Sequence, residues 1–291
     1  MWSGLNMPRP LVASALTAAA LLAFAANSVL CRLALADGSI DAWAFTGLRI
    51  GAGALTLMLL AMRREGPRGG AGEWKRAGLL LLYALPFSLA YLELDTGTGA
   101  LLLFGAVQVT MLLLGMRAGE RPGAVEWVGL LGAFGGLVYL VSPGLSAPAP
   151  GAAAMMVAAG VGWGAYSVAG KGAGDPLRVT SGAFARAALL LAPVLVVIHL
   201  RTHGGLHADS RGAALALVSG ALTSGVGYAI WYAALRHLTS TRAALVQLSV
   251  PVLAAAGGVT LLAEAITPRL AIAGAVILGS IAVGVLGRAR A

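Results

Sequence analysis

Uncharged, strongly apolar stretches of about 16 to 24 residues recur along this chain from Leu11 to Gly287, and short segments holding most of the charge separate them. A helix needs roughly 20 such residues to cross the hydrocarbon core of a bilayer. A soluble globule is excluded, because only 11% of the 291 residues are charged and 59% are apolar. An ordinary soluble domain carries about 25% charged residues. A β-barrel would read as short strands of alternating polarity, whereas these runs are continuously apolar and rich in Ala, Leu and Gly. The fold class expected is therefore an all-α membrane protein, with spans near 11–33, 42–62, 77–94, 96–116, 124–142, 151–170, 179–199, 212–235, 243–263 and 270–287. The first run follows a ten-residue segment with one Arg and no A-x-A site, and reads as an uncleaved first helix.

The formal charge of +9 lies scattered among short loops, which reads as a topology signal and not as a nucleic-acid patch. With the N-terminus inside, the inner loops collect fourteen basic residues, Arg63, Arg64, Arg68, Lys75 and Arg76 among them, against Arg201, Arg211 and Arg269 outside. That bias places both termini in the cytoplasm. The single cysteine, Cys31, excludes an intrachain disulfide and any Cys-based metal cage, and is expected to pack as a small residue.

The second half echoes the first in order. Residues 163–168 (Trp-Gly-Ala-Tyr-Ser-Val) match 24–29 (Phe-Ala-Ala-Asn-Ser-Val), Ala185-Arg186 match Leu48-Arg49, and Leu245 to Glu264 keeps the spacing of Leu101 to Glu120. Pro122 and Pro268 follow the two glutamates. Two units of five spans, 1–146 and 147–291, enter the membrane from opposite sides because five is odd, the inverted-topology repeat of secondary transporters.

This pattern resembles the EamA-like branch of the drug/metabolite transporter superfamily, in which ten helices form two tandem units. The resemblance rests on Trp163-Gly164, on Arg49 and Arg186 early in the second helix of each half, on the apolar helices ending in Glu120-Arg121 or Glu264, and above all on 243–252 (Ala-Ala-Leu-Val-Gln-Leu-Ser-Val-Pro-Val). Val107 stands where the second half has Pro251, and Phe24 where it has Trp163, so the symmetry is imperfect. Within the branch the chain is most similar to YddG-type exporters of aromatic and other amino acids. The resemblance implies an inner-membrane secondary transporter, and export is implied by it alone. Other metabolites or drugs of the superfamily are the alternative substrates.

Aromatic placement is the strongest signal independent of that resemblance, since membrane Trp and Tyr favour the interfaces and several here lie inside spans. Tyr83, Phe87 and Tyr91 share one face of the third helix; Tyr228 and Tyr232 do so on the eighth, where Phe87 matches Tyr228 and Tyr91 matches Tyr232. The stripe serves either helix packing or a ring-lined cavity at the repeat interface. Trp163, flanked by Gly162 and Gly164, is the best single cavity candidate, the glycines leaving room for a ligand or a neighbouring helix. Asn27, Gln108, Gln247 and Ser249 are polar at depth and need partners or a wet cavity. Pro251 adds weight to Gln247 and Ser249, because a proline frees a carbonyl one turn earlier. The substrate-binding set expected is thus Trp163, Tyr83, Gln247 and Ser249, with Asn27, Tyr91, Tyr228 and Tyr232 as further members.

Arg49 and Arg186 are read as structural, near a membrane face, where they snorkel or cap a neighbour. Glu120 and Glu264 are expected at solvated helix ends. No Asp or Glu falls near a bilayer midplane, which disfavours exchange of organic cations for protons and favours a small neutral or zwitterionic substrate. Neither H-E-x-x-H nor G-x-S-x-G occurs, so a membrane-embedded enzyme is the weaker reading. His199, His203 and His207 are expected to be loop histidines and not metal ligands, since Gly204-Gly205 interrupts them. Nothing resembles a channel filter. No catalytic residue, cofactor or metal is expected, and no nucleic-acid partner; the bilayer, a small zwitterion and a monomeric state are.

Overall fold

The computed structural model describes residues 9–62, 72–119, 123–144, 147–170, 175–202, 205–235 and 246–288. Every named element among them is a helix: α1 Arg9–Ala36, α2 Ala42–Met62, α3 Gly72–Ala90, α4 Thr96–Arg117, α5 Ala124–Val141, α6 Pro150–Gly170 and α7 Pro176–Arg201. α8, Ser210–Val218, runs without a break into a π-helical stretch, Ser219–Val226, and on into α9, Gly227–Leu235. α10, Ser249–Leu262, and α11, Pro268–Arg288, complete the chain. Counting α8 to α9 as one rod, ten helical segments fall on the ten expected runs.

Lipid offers no partner for backbone groups, so an apolar run satisfies its amides within a helix. Among the described residues six helices are long and apolar enough to cross a membrane: α1, α2, α4, α6, α7 and the α8–α9 rod. Shorter apolar helices lie at Trp127–Val141, Ser249–Leu262 and Pro268–Gly284, and α3 carries Glu73, Lys75 and Arg76 in its first turns. Helix starts are written in the sequence by acidic caps. Asp41 accepts from the Trp43 and Ala44 amides at 2.9 Å, Asp209 from Gly212 at 2.7 Å, and Asp175 from Leu177 at 3.1 Å just before Pro176. Gly38, at φ +74°, follows the end of α1 in a conformation that glycine adopts without penalty.

The outside of the bundle is apolar, with Leu59, Leu131, Leu189 and Val196 exposed, so the interior is set by close approach and not by hydrophobicity. α6 packs on α3 and α4, α2 on α7, and the π-helical stretch on α1 and α2. Glycines make the tightest crossings. A Cβ on Gly162 would lie 2.7 Å from the Tyr83 amide nitrogen, and one on Gly164 2.9 Å from the Thr110 Cβ. The glycines beside Trp163 therefore admit neighbouring helices, which decides between the two uses expected of them. At the crossing of α2 with the π-helical stretch, a Cβ on Gly220 would press on the Arg49 carbonyl oxygen and stand 2.8 Å from the Ala52 Cβ.

Overpacking of this kind costs about 1–3 kcal/mol. Gly220→Ala is expected to lower thermal stability in detergent by that order, whereas Gly51→Ala on the open face of α2, with nothing within 4 Å, is expected to be neutral or mildly stabilising. Equal behaviour of the two variants in the same melting assay would refute the crossing.

Candidate functional site

The buried middle of the bundle is a cluster of rings drawn from five helices. Phe24 (α1) meets Trp163 (α6) edge to face at 5.9 Å, and Trp163 lies 5.2 Å from Tyr83 (α3), 5.7 Å from Tyr166 and 4.8 Å from Tyr228 (α9). Phe87 joins Tyr83 at 5.2 Å and Tyr91 at 4.8 Å, and Phe184 (α7) meets Tyr228 at 5.6 Å. Within this cluster lies a cavity lined by Phe24, Asn27, Ser28, Tyr83, Phe87, Leu103, Phe104, Trp163 and Tyr228. Its volume of about 20 Å³ is the room of a single water molecule. A larger guest needs the rings to part.

One wall of the cavity is polar. The Asn27 amide nitrogen donates to the Tyr83 hydroxyl at 3.2 Å, while its carbonyl oxygen accepts from Ser219 at 2.8 Å and lies 3.2 Å from the Thr223 hydroxyl. Arg49, 1% exposed, donates from Nη2 to the same Tyr83 hydroxyl at 2.7 Å and from Nε to Ser224 at 3.1 Å. Its guanidinium also lies over the Tyr83 and Phe87 rings, 5.1 and 5.0 Å from their centroids. The expectation that Arg49 snorkels is therefore corrected: it points into the bundle, where Ser224 of the π-helical stretch accepts from it while Ser219 and Thr223 of the same stretch bond Asn27. Widened helical turns of this type occur often at functional sites.

Of the expected site residues, Trp163, Tyr83, Asn27 and Tyr228 line the cavity together. The other four do not. Gln247 is buried away from the lining, and the Ser249 hydroxyl is spent on the Val246 carbonyl at 2.7 Å. Tyr91 is buried one turn beyond Phe87, its hydroxyl 3.4 Å from the Thr96 carbonyl oxygen, and Tyr232 lies at the other end of the bundle beside Gly170. Phe24, Ser28, Phe87, Leu103 and Phe104 also line the cavity and lie outside the expected set, although Phe87 belongs to the aromatic stripe read from the sequence. The 101–120 and 245–264 alignment pairs Leu103 with Gln247, and of that matched pair Leu103 is the one in the lining.

The ion-paired groups among the described residues lie toward the bundle ends. Arg186 pairs with Glu73, in the first turn of α3, and lies over the Trp74 ring at 5.4 Å. At the opposite end Arg32 donates to the Tyr91 and Leu92 carbonyls at 2.9 and 3.0 Å and lies 3.5 Å from Glu264. Glu264 accepts from the Thr96 amide at 2.8 Å and its hydroxyl at 3.1 Å, so it is a bridge between loops and not the solvated helix end expected. Burial pushes its carboxyl above the usual range, against the Thr96 hydrogen bonds and the Arg32 charge that favour the ionised form. Asp37 pairs with Arg211 and Asp41 accepts from the His207 amide at 2.6 Å at this same end. Cys31 is free and buried, as expected of a packing residue. His199 accepts from the Leu206 amide at 3.0 Å, and no cluster of metal-ligating side chains occurs among the described residues. Glu120 and His203 lie outside them.

The family model of the EamA-like transporter family matches residues 151–286. An uncharacterized protein of Pseudomonas aeruginosa is 53% identical over 268 residues, covering 92% of each chain. The chain belongs to the EamA-like transporter family. It is thereby a multi-pass membrane transporter of the drug/metabolite transporter superfamily, a class of transporters and not of enzymes. A solved crystal structure that is 22% identical superposes on this EamA-like chain with a TM-score of 0.64, over 92% of this chain and 98% of the other, which shows a shared fold.

Tyr83→Phe keeps the ring and removes the hydroxyl on which Arg49 and Asn27 converge. Leaving buried donors unsatisfied costs about 1–3 kcal/mol, more for a charged one. The variant is expected to lose stability of that size by chemical denaturation in detergent; a change below about 0.5 kcal/mol would show that the network does not hold the fold.

Proposed function

We propose that this EamA-like chain is a ten-span inner-membrane transporter, both termini cytoplasmic, that exports aromatic and other neutral amino acids by alternating access through the central cavity. It is built of two inverted units, 1–146 and 147–291. The observation that carries this reading is the cavity itself, whose rings come from both units in matched pairs. Phe24 and Trp163, aligned in the sequence, line it together, as do Phe87 and Tyr228. The packing also supports it. Exchanging the units turns α3 against α6 into the α8–α9 rod against α1, and α4 against α6 into α10 against α1, and all four contacts are present. The pairs α2 with α7, α4 with α10 and α5 with α11 are their own counterparts. A binding site at the interface of such repeats is where rocking of one unit on the other alternates access.

Rings suit aromatic and apolar side chains, and the Asn27 amide and hydroxyls of the wall suit the polar end of a zwitterion. The contracted cavity must widen to admit one. Tyr91, Tyr232, Gln247 and Ser249 belong to this proposal as residues of the access path at the two ends, with no direct place in the present lining.

Two measurements test the reading. Cysteines at Thr202 and Ala118, both exposed, are expected to react with impermeant reagent from opposite sides of the membrane, Thr202 from outside; reaction from one side alone refutes the topology. In proteoliposomes the purified protein is expected to move phenylalanine and tryptophan, with proton and sodium gradients imposed in turn. Movement of a lipid or sugar nucleotide with no amino acid would overturn the substrate. Trp163 touches four rings, so truncation to Ala would cost about the 3–5 kcal/mol of a packed aromatic and confound the assay. Trp163→Phe, the residue at the matched position in the first unit, is expected to fold and to change aromatic uptake by about tenfold or more.

A further inference from the structure

We propose that Arg49 is the carboxylate-recognition group of the cavity, so that the chain selects substrates bearing a free carboxylate, zwitterions and organic anions alike. This inference rests on the reading of the cavity as the transport site and names the chemistry that site selects.

The argument begins from the cost of the charge. α2 starts at Ala42, and Arg49 lies seven residues along it, about 10 Å from that end at 1.5 Å per residue. An ionisable side chain at such depth is expensive and marks function by default, with its counter-group to be named. Among the described residues Arg49 has none. The ion pairs among the described residues are Arg32 with Asp95 and Glu264, Arg186 with Glu73, and Arg211 with Asp37. Neutral hydroxyls and two ring faces are what hold Arg49, and its Nη1, although buried, donates to nothing. A guanidinium offers five N–H donors, and a carboxylate accepts two of them in parallel.

Comparison with Arg186, its counterpart in the sequence repeat, sharpens the point. The two arginines occupy matched places on α2 and α7, and Arg186 has its acid, Glu73, on α3. Arg49 has Tyr83 on α3 and Ser224 on the rod, each four residues before the matched rings Phe87 and Tyr228. One arginine carries its carboxylate within the chain; the other faces hydroxyls at the wall of a cavity. Tyr83 and Asn27 line the cavity, and the Tyr83 hydroxyl accepts from both Asn27 and Arg49, which itself lies outside the lining. When the rings part, a carboxylate entering beside Tyr83 reaches a cation that no described acid neutralises. A structural arginine needs no ligand and gains nothing from one.

The test is equilibrium binding to the purified protein in detergent, by isothermal calorimetry, with four probes that share a phenyl ring: phenylalanine, 3-phenylpropanoate, phenylalaninamide and phenethylamine. Wild-type protein is expected to bind the two carboxylates at least tenfold more tightly than the amide and the amine. Arg49→Gln is expected to abolish that preference, and Arg49→Lys to restore part of it, because a lysine keeps the charge without the fork. Should Arg49→Gln fail to fold, the wild-type preference and the Arg49→Lys protein, with the preference reduced, decide the matter. Equal binding of all four probes by the wild type overturns the inference and leaves the cavity reading intact. So does a carboxylate preference that survives Arg49→Gln. Binding of carboxylate and amide alike that follows chloride concentration would assign Arg49 to a resident inorganic anion, and overturns it as well. Binding of none of the four overturns the cavity as an amino-acid site, and this inference with it.

Discussion

A guanidinium within a bilayer has no water to turn to, and the centre of this molecule is arranged around one. Arg49 ties α2 to α3 through Tyr83 and to the π-helical stretch through Ser224, while Asn27 brings α1 to the same hydroxyl and to Ser219. Four chain segments thus converge on one polar cluster surrounded by rings. The cluster is small because little else in these segments is polar. It is specific because each donor has few alternatives in an apolar bundle.

Close helix approach is what makes such short contacts available. Where α2 crosses the π-helical stretch, Gly220 rests on the Arg49 backbone, and Ser224 one turn on receives the Nε. Where α6 crosses α3, Gly162 rests on the Tyr83 backbone, and Trp163 next to it meets the Tyr83 ring. In each case a glycine sets the spacing and its neighbour supplies the contact. Between lipid-facing helices no hydrophobic gain is available, so surface fit of this kind carries the association.

The spans were legible because hydropathy is a one-dimensional signal and lipid enforces it over a whole helix. The rings at the centre were legible in part, since a Trp between glycines and a four-residue tyrosine stripe are unusual at depth. The direction in which Arg49 points was not. A soluble helix reveals its inner face through amphipathicity, but α2 is apolar all round, and counting from its ends gives depth without azimuth. Gln247 and Leu103 show the same limit. The alignment pairs the two positions, and hydropathy along the chain does not say that Leu103 is the one in the lining. Glu264 was read as a helix end by sequence distance, yet its partners Thr96 and Arg32 come from remote parts of the chain.

The charged contacts between loops have a consequence of their own. Arg32 with Glu264 and Asp37 with Arg211 join segments far apart in sequence at one end of the bundle, and their side chains are partly open to water. Pairs of that kind are screened by dissolved salt over about 8 Å at physiological ionic strength, whereas a ring cluster sealed from water is not. The two ends of the energy balance therefore answer to different media. Separation of the loops is governed by the electrolyte of the compartment they face, and separation of the rings by whatever molecule enters between them.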